Sequence, residues 1–318
     1  MHSIRPKLSS TQCPDFRTWV PDSFPEFLTE LEHIKAPCEG ENPAILFRGQ
    51  RNFTWSLDSS LVRNFIQYFF KIPEGQELPE RTLMFHQILT DFIFAKFGGI
   101  PRSSARVQAL LRILSDKDGQ VLRGPNRDLL DLEMAKDIDP WFEMIRDFQQ
   151  FPEKDYSLIK GTFWLDWSTC PCVALYFAVY DGMGNERKIS ENHGAVWIFD
   201  AASTGPIQQK RKAVDILPLM NTDAFYNALT SMPLMFHPPT QLEIPRIKNQ
   251  RAVYLAQMDY RYDLATIWAN HETESGEKVF VRLILKDNLK IEAAKYLETK
   301  GITEEFIYPP EPPTKNPL

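Results

Sequence analysis

Apolar and polar positions along this chain follow two rhythms, one helical and one alternating or continuous. From Phe24 to Ile34 apolar residues recur at helical spacing behind Ser23, a good N-cap, which predicts a helix. Pro37 to Pro43 reads as a loop, and Ala44-Ile45-Leu46-Phe47 as a short buried strand that Arg48-Gly49 ends. Leu83, Met84, Gln87, Ile88, Asp91, Phe92 and Ala95 give a mixed 3.6-residue pattern over about 80–97, stopped by Gly98-Gly99-Ile100-Pro101. Arg106 to Leu114 and Trp141 to Phe148 read as further helices.

The middle of the chain carries the densest apolar block. Thr162 to Trp167 reads as a strand, and the run from Ser168 to Tyr180 as a helix capped by Ser168 or Thr169, with Pro171 in its first turn, where no amide is missed. That helix is apolar nearly all round and therefore belongs in the core. Ala195 to Phe199, Arg251 to Ala256 and Val279 to Leu285 predict three more strands, and Asn288 to Lys300 a last helix stopped by Gly301. The tail from Pro309 carries five prolines and reads as disordered. With no internal repeat and no low-complexity linker, one mixed α+β domain with helical insertions is the simplest account.

Composition changes this picture only at the edges. At 318 residues and 43% hydrophobic content the chain buries a substantial core. No apolar run is long enough to cross a bilayer, and no apolar stretch follows the first charges, so neither a membrane span nor a secretory signal is expected. Four cysteines make no disulfide framework, and no histidine pair has zinc-ligand spacing, which suits a reducing cytoplasm. His271-Glu272 lacks the second histidine of a zinc-protease motif. A net charge of −6 argues against nonspecific coating of nucleic acid. A local basic groove stays open: Arg102, Arg106, Arg112, Arg123 and Arg127 lie close together, and Lys210-Arg211-Lys212 is a shorter run. Solvated faces are the commoner reading of such runs.

Four ordered blocks carry a family resemblance. Phe47-Arg48-Gly49-Gln50, with Trp55, Leu57 and Ser60-Leu61-Val62-Arg63, resembles the segment that gives the FRG domain its name. Leu165-Asp166-Trp167-Ser168, continued by Val173-Ala174-Leu175-Tyr176-Phe177-Ala178, resembles that family's second block; Arg246-Ile247 with Gln250 resembles its third, and Leu297 to Pro309 its close. The chain departs from the pattern before Leu165, where Phe148-Gln149-Gln150-Phe151-Pro152 stands in place of a His-Tyr-Gly-like segment.

The FRG blocks in turn are similar to the NAD-binding strands of ADP-ribosyltransferases. The resemblance implies an α+β fold with an ADP-ribosyltransferase-like split β-sheet. It would comprise a helical segment at 1–43, the domain proper at 44–308 with a helical insertion at about 80–150, and a Pro-rich tail at 309–318. It implies NAD as donor of ADP-ribose, with Arg48 gripping the diphosphate bidentately, as a lysine ammonium would not. Gly49 would give the backbone close access to NAD, with Thr169, Trp167, Tyr176 and Arg63 completing the binding set. A third strand would bring Gln250, and Ser168 would hydrogen-bond the nicotinamide-side ribose or orient that third-strand residue. Because an amide cannot offset an oxocarbenium-like cation as a carboxylate does, either another acid serves, Asp166 ahead of Glu243, or the rate is modest, or the acceptor supplies part of the stabilisation.

Each position also has a structural reading. Arg48 fits an ion pair, Arg63 a brace, Ser168 a helix cap, Asp166 a buried salt-bridged acid and Gln250 a satisfied core amide, while Trp167 and Tyr176 fit the core. Cys170 and Cys172 read as small buried residues. At the level of function the resemblance implies a toxin or anti-phage effector acting on an intracellular nucleic acid, RNA ahead of DNA, or on a protein. A neutralising antitoxin or chaperone would accompany it. The rival expectation is a nucleotide-sensing or phage-product-sensing module that has lost turnover.

Overall fold

A computed structural model of the chain describes residues 17–33, 45–71, 81–97, 144–149, 152–182, 184–201, 209–210, 226–228, 233–236, 244–276 and 278–310. The helix expected at Arg106 to Leu114, the basic run from Arg102 to Arg127, Arg211-Lys212, Glu243 and residues 311–318 lie outside them.

The fold is mixed α and β around one mostly antiparallel sheet. Its strands are β1 (Thr18–Trp19), β2 (Ile45–Gln50), β3 (Trp164–Ser168), β6 (Gly194–Asp200), β7 (Gln209–Lys210), β8 (Leu234–Phe236), β9 (Ala252–Ala256) and β10 (Phe280–Leu285), in the order β1-β10-β6-β2-β3-β9-β8-β7. Among the described residues only the two outermost pairings, β1 with β10 and β7 with β8, are parallel. A separate two-stranded ribbon joins β4 (Tyr180–Asp181) to β5 (Lys188–Ile189).

Alternation along the strands sends side chains to two apolar layers. On one face Phe47, Val196, Ile198, Val281 and Leu283 pack against α4 (Pro171–Val179), α1 (Phe24–His33) and α7 (Lys290–Thr299). On the other, Leu46, Leu165, Trp167, Trp197, Phe199 and Val253 pack against α6 (Leu264–Ser275), whose Trp268 stacks on Phe199 with ring centroids 3.8 Å apart. The predicted helices α1, α4 and α7 and the strands β2, β3, β6, β9 and β10 are all present. The helical segment expected at 1–43 supplies an edge strand as well as α1, and Phe24, Phe27 and Leu31 belong to the main core.

Two expectations are corrected. Arg48-Gly49 does not end its strand: β2 pairs with β6 through Arg48↔Trp197, Gly49↔Val196 and Gln50↔Ala195. Polar Gln50 is tolerated in this buried ladder because its side-chain oxygen accepts from Trp197 Nε1 at 2.7 Å and its amide donates to the Ser56 carbonyl at 3.1 Å. The cap of α4 is Cys170, not Ser168 or Thr169, although the Ser168 hydroxyl accepts the Cys170 amide at 2.9 Å and so satisfies one donor at that terminus.

Two further helices follow the first block or sit behind it. Ser59 caps α2 (Ser60–Phe70) and Thr82 caps α3 (Leu83–Lys96). Between them lies a buried polar knot. Asp58 accepts from Arg81 Nη1 at 2.8 Å, from Gln257 Nε2 at 2.8 Å and from the Ser56 hydroxyl at 2.6 Å, while Asp263 accepts the Leu57 amide at 2.8 Å and caps α6. Burial alone would raise the Asp58 carboxyl; Arg81, with Ser56 and Gln257, holds it below its ordinary value of 3.8. Its contribution to stability is therefore present above that value and lost as acid takes the pH through the lower folded one. Arg81→Leu leaves this carboxylate buried without its cation and is expected to cost about 3–5 kcal/mol in denaturant unfolding, with a smaller loss in the Asp58→Asn/Arg81→Leu double variant.

Candidate functional site

Strands β2 and β3 are neighbours joined at one register pair, Phe47↔Ser168, whereas β2 matches β6 at six positions and β3 matches β9 at five. Beyond Phe47 the two backbones part. Arg48 reaches across this parting, and its Nη1 donates to the main-chain oxygen of Asp166. The guanidinium supplies a cross-strand hydrogen bond that the separated backbones cannot make.

Around that bridge the structure gathers charge from four elements. Asp166 Oδ2 accepts from Gln149 Nε2, at the end of the helical stretch 144–149, while Asp166 Oδ1 is buried with no hydrogen-bond partner. Arg48 Nε is likewise buried without a partner. Arg63, on α2, donates through Nη1 to the Asp58 carbonyl and lies 5.5 Å from the Trp55 ring centroid, with Arg51 4.5 Å from the same centroid. Arg246, on α5 (Pro245–Gln250), stacks 4.5 Å from the ring centroid of Tyr308, which follows α8 (Glu304–Ile307).

These groups act on one another electrostatically. Burial, reinforced by the charge of Arg63 and opposed by Asp166, pushes Arg48 down to about 10. Burial pushes the Asp166 carboxyl up from its ordinary range, against Arg48, the Gln149 hydrogen bond, Arg246 and Arg63. Burial also pushes the Tyr308 phenol up to about 12, against Arg246. Three guanidiniums thus act electrostatically on one carboxyl that keeps an unpartnered oxygen. An anion binds well where guanidiniums are desolvated and hydrogen-bonding capacity is left over, and a nearby carboxylate serves a developing cation.

The remaining expected residues take other places. Gly49 faces α4: a Cβ built there would lie 1.8 Å from the Ala174 carbonyl oxygen, so the glycine admits the helix on that face and not a ligand. Trp167 sits in the opposite layer against Phe199 and Trp268, with centroids 5.9 and 5.6 Å away. Tyr176 lies in the α4 core beside Tyr180 and borders the charged group through Tyr308, 6.5 Å away. The Thr169 amide donates to the Arg251 carbonyl at 3.2 Å.

Ser168 and Gln250 meet, but through the backbone. The Ser168 hydroxyl donates to the Gln250 carbonyl at 2.7 Å, and the Gln250 side-chain amide donates to the Ile307 carbonyl at 3.0 Å. Gln250 stands at the end of α5, ahead of β9, and not on a third strand. Together with Asn249 Nδ2 on the Phe306 carbonyl at 2.8 Å, it latches the C-terminal segment to the sheet. Nothing in the sequence pattern assigns a role to Gln149, Arg246 or Tyr308; Arg246 lies inside the third block, yet nothing in its spacing points toward Asp166. Among the described residues no group of three or more His, Cys, Asp or Glu is placed to hold a metal, and no helix is long and apolar enough to cross a membrane. No protein-family model, curated protein or solved structure matches this chain.

The packing separates scaffold from site. Trp167→Ala is expected to cost about 3–5 kcal/mol in unfolding experiments, the range for deleting a buried aromatic. Ser168→Ala leaves the Gln250 carbonyl and Cys170 amide without that partner and is expected to cost about 1–3 kcal/mol.

Proposed function

We propose that this protein is an NAD-dependent mono-ADP-ribosyltransferase whose site is the parting of β2 and β3. The observation that carries the reading is the pairing there of Arg48, with an unpartnered Nε, and Asp166, with an unpartnered Oδ1, in the field of Arg63 and Arg246. Arg48 and Arg63 would hold the diphosphate of NAD, and Asp166 would face the ribose carbon that turns cationic when nicotinamide leaves. In that reaction the C1′–N bond breaks with its electron pair departing on nicotinamide, and the acceptor's lone pair closes on C1′. The acceptor proton then passes to a base. An ionised carboxylate serves both the cation and the proton, so activity should fall as the pH drops through the raised value of Asp166.

The acceptor in this reading is an intracellular nucleic acid, RNA ahead of DNA, or a protein, and the biological role that of a toxin or anti-phage effector in the cytoplasm, held in check by a neutralising partner. A second reading, a nucleotide-sensing or phage-product-sensing module without turnover, draws on the Gln250 amide: it is committed to the Ile307 carbonyl, and the third block brings no carboxylate beside Asp166.

Incubation of the purified protein with labelled NAD and a cell lysate separates the two. Label transferred to nucleic acid or protein, and lost in Arg48→Ala, supports the transferase; tight NAD binding without nicotinamide release supports the sensor. Arg48→Lys keeps the charge but loses the planar fork, and is expected to lose most activity; turnover near wild type would remove the phosphate-clamp role. Asp166→Asn should slow nicotinamide release more than it weakens NAD binding, and equal losses would assign Asp166 to the scaffold.

A further inference from the structure

We propose that Gln149 is the positioning residue of this site: anchored by Thr162, its amide holds one oxygen of Asp166 and presents the other, Oδ1, to the ligand. The geometry rests on a directed chain of hydrogen bonds. The Trp164 amide donates to the Thr162 hydroxyl oxygen at 3.2 Å, and the Thr162 hydroxyl donates its single proton to Gln149 Oε1. With its carbonyl end so fixed, the Gln149 amide turns its N–H toward Asp166 Oδ2. The reverse orientation would set Oε1 against the Asp166 carboxylate, two acceptors facing each other, so the ionised form of Asp166 selects this direction.

Three features make this more than a core hydrogen bond. Thr162 and Trp164 are buried, so the relay is anchored at the foot of β3, the strand that carries Asp166. The relay ends on one oxygen of a carboxylate whose other oxygen is buried and unpartnered. Gln149 is also neutral and does not titrate. The ionisable groups that act on Asp166 among the described residues are Arg48 from β2, Arg63 from α2, Arg246 from α5 and Tyr308 after α8. Gln149 therefore steers the carboxylate and favours its ionised form without adding a second ionisation to the pH profile.

The inference rests on the transferase reading for its catalytic meaning, yet it is testable apart from it. Wild type, Gln149→Leu, Thr162→Val and Thr162→Ser would be titrated by 13C-carboxyl NMR, with Asp166→Asn assigning the signal, and assayed for nicotinamide release from NAD across pH. Gln149→Leu should titrate Asp166 at higher pH and move the acid limb of kcat the same way. Its kcat should fall roughly a hundredfold, as misoriented groups do, with KM for NAD little changed. Thr162→Ser, which keeps the hydroxyl, should behave as wild type, and Thr162→Val should shift as Gln149→Leu does.

A folded Gln149→Leu protein with an unshifted Asp166 titration would overturn the proposal. If that variant does not fold, Thr162→Val decides: an upward shift supports the relay and an unchanged titration overturns it. Wild type that releases no nicotinamide would defeat the transferase reading and leave the relay to be judged on the carboxyl titration.

Discussion

The hydrogen bond from Arg48 to the Asp166 carbonyl holds this molecule at its weakest seam. Two halves of the sheet meet at β2 and β3, where a single register pair replaces the five or six found on either side. A side chain from β2 reaches the backbone of β3 and draws a buried cation into the gap. Everything of chemical interest follows from that placement. The cation needs compensation, Asp166 offers it, and the elements packed around the gap bring Arg63, Arg246, Gln149 and Tyr308 toward the same carboxyl.

Two aspartates show how environment divides structure from chemistry. Asp58 is fully buried but accepts from Arg81, Gln257 and Ser56, and its carboxyl falls below the ordinary range. Asp166 has cations nearby but only the Gln149 amide as a hydrogen-bond donor among the described residues, and burial wins, lifting its carboxyl. A satisfied buried carboxylate is a fastener. One that keeps an unpartnered oxygen beside guanidiniums has hydrogen-bonding capacity left over.

The C-terminal segment closes the arrangement. Gln250 and Asn249 bind the Ile307 and Phe306 carbonyls, Ser168 ties α5 to the start of α4, and Tyr308 is thereby brought under Arg246. Gln250, the catalytic candidate of the third block, thus joins α5 to the C-terminal segment, whose Tyr308 stacks against Arg246. Distant parts of the chain are therefore all needed to build one small charged region.

Local pattern determined the elements. Apolar spacing placed α1, α4 and α7, the buried runs placed five strands, and their order with the helices implied a mixed α and β fold, because each of these signals is carried by neighbouring residues. Arg48 and Asp166 were legible as candidates by residue type and motif. Which side chains meet was not legible. At Arg48-Gly49 a charge and a glycine look like a strand end until Trp197 and the α4 backbone are there to receive Gln50 and Gly49. Gln250 passed for an active-site amide because nothing local announces the carbonyl of Ile307, 57 positions away. The contacts of Gln149 with Thr162 and Asp166, likewise, exist only once the chain has folded. Hydrogen bonds across the fold depend on three-dimensional proximity, which periodicity does not encode, so the sequence by itself named the pieces and the tertiary structure decided their partners.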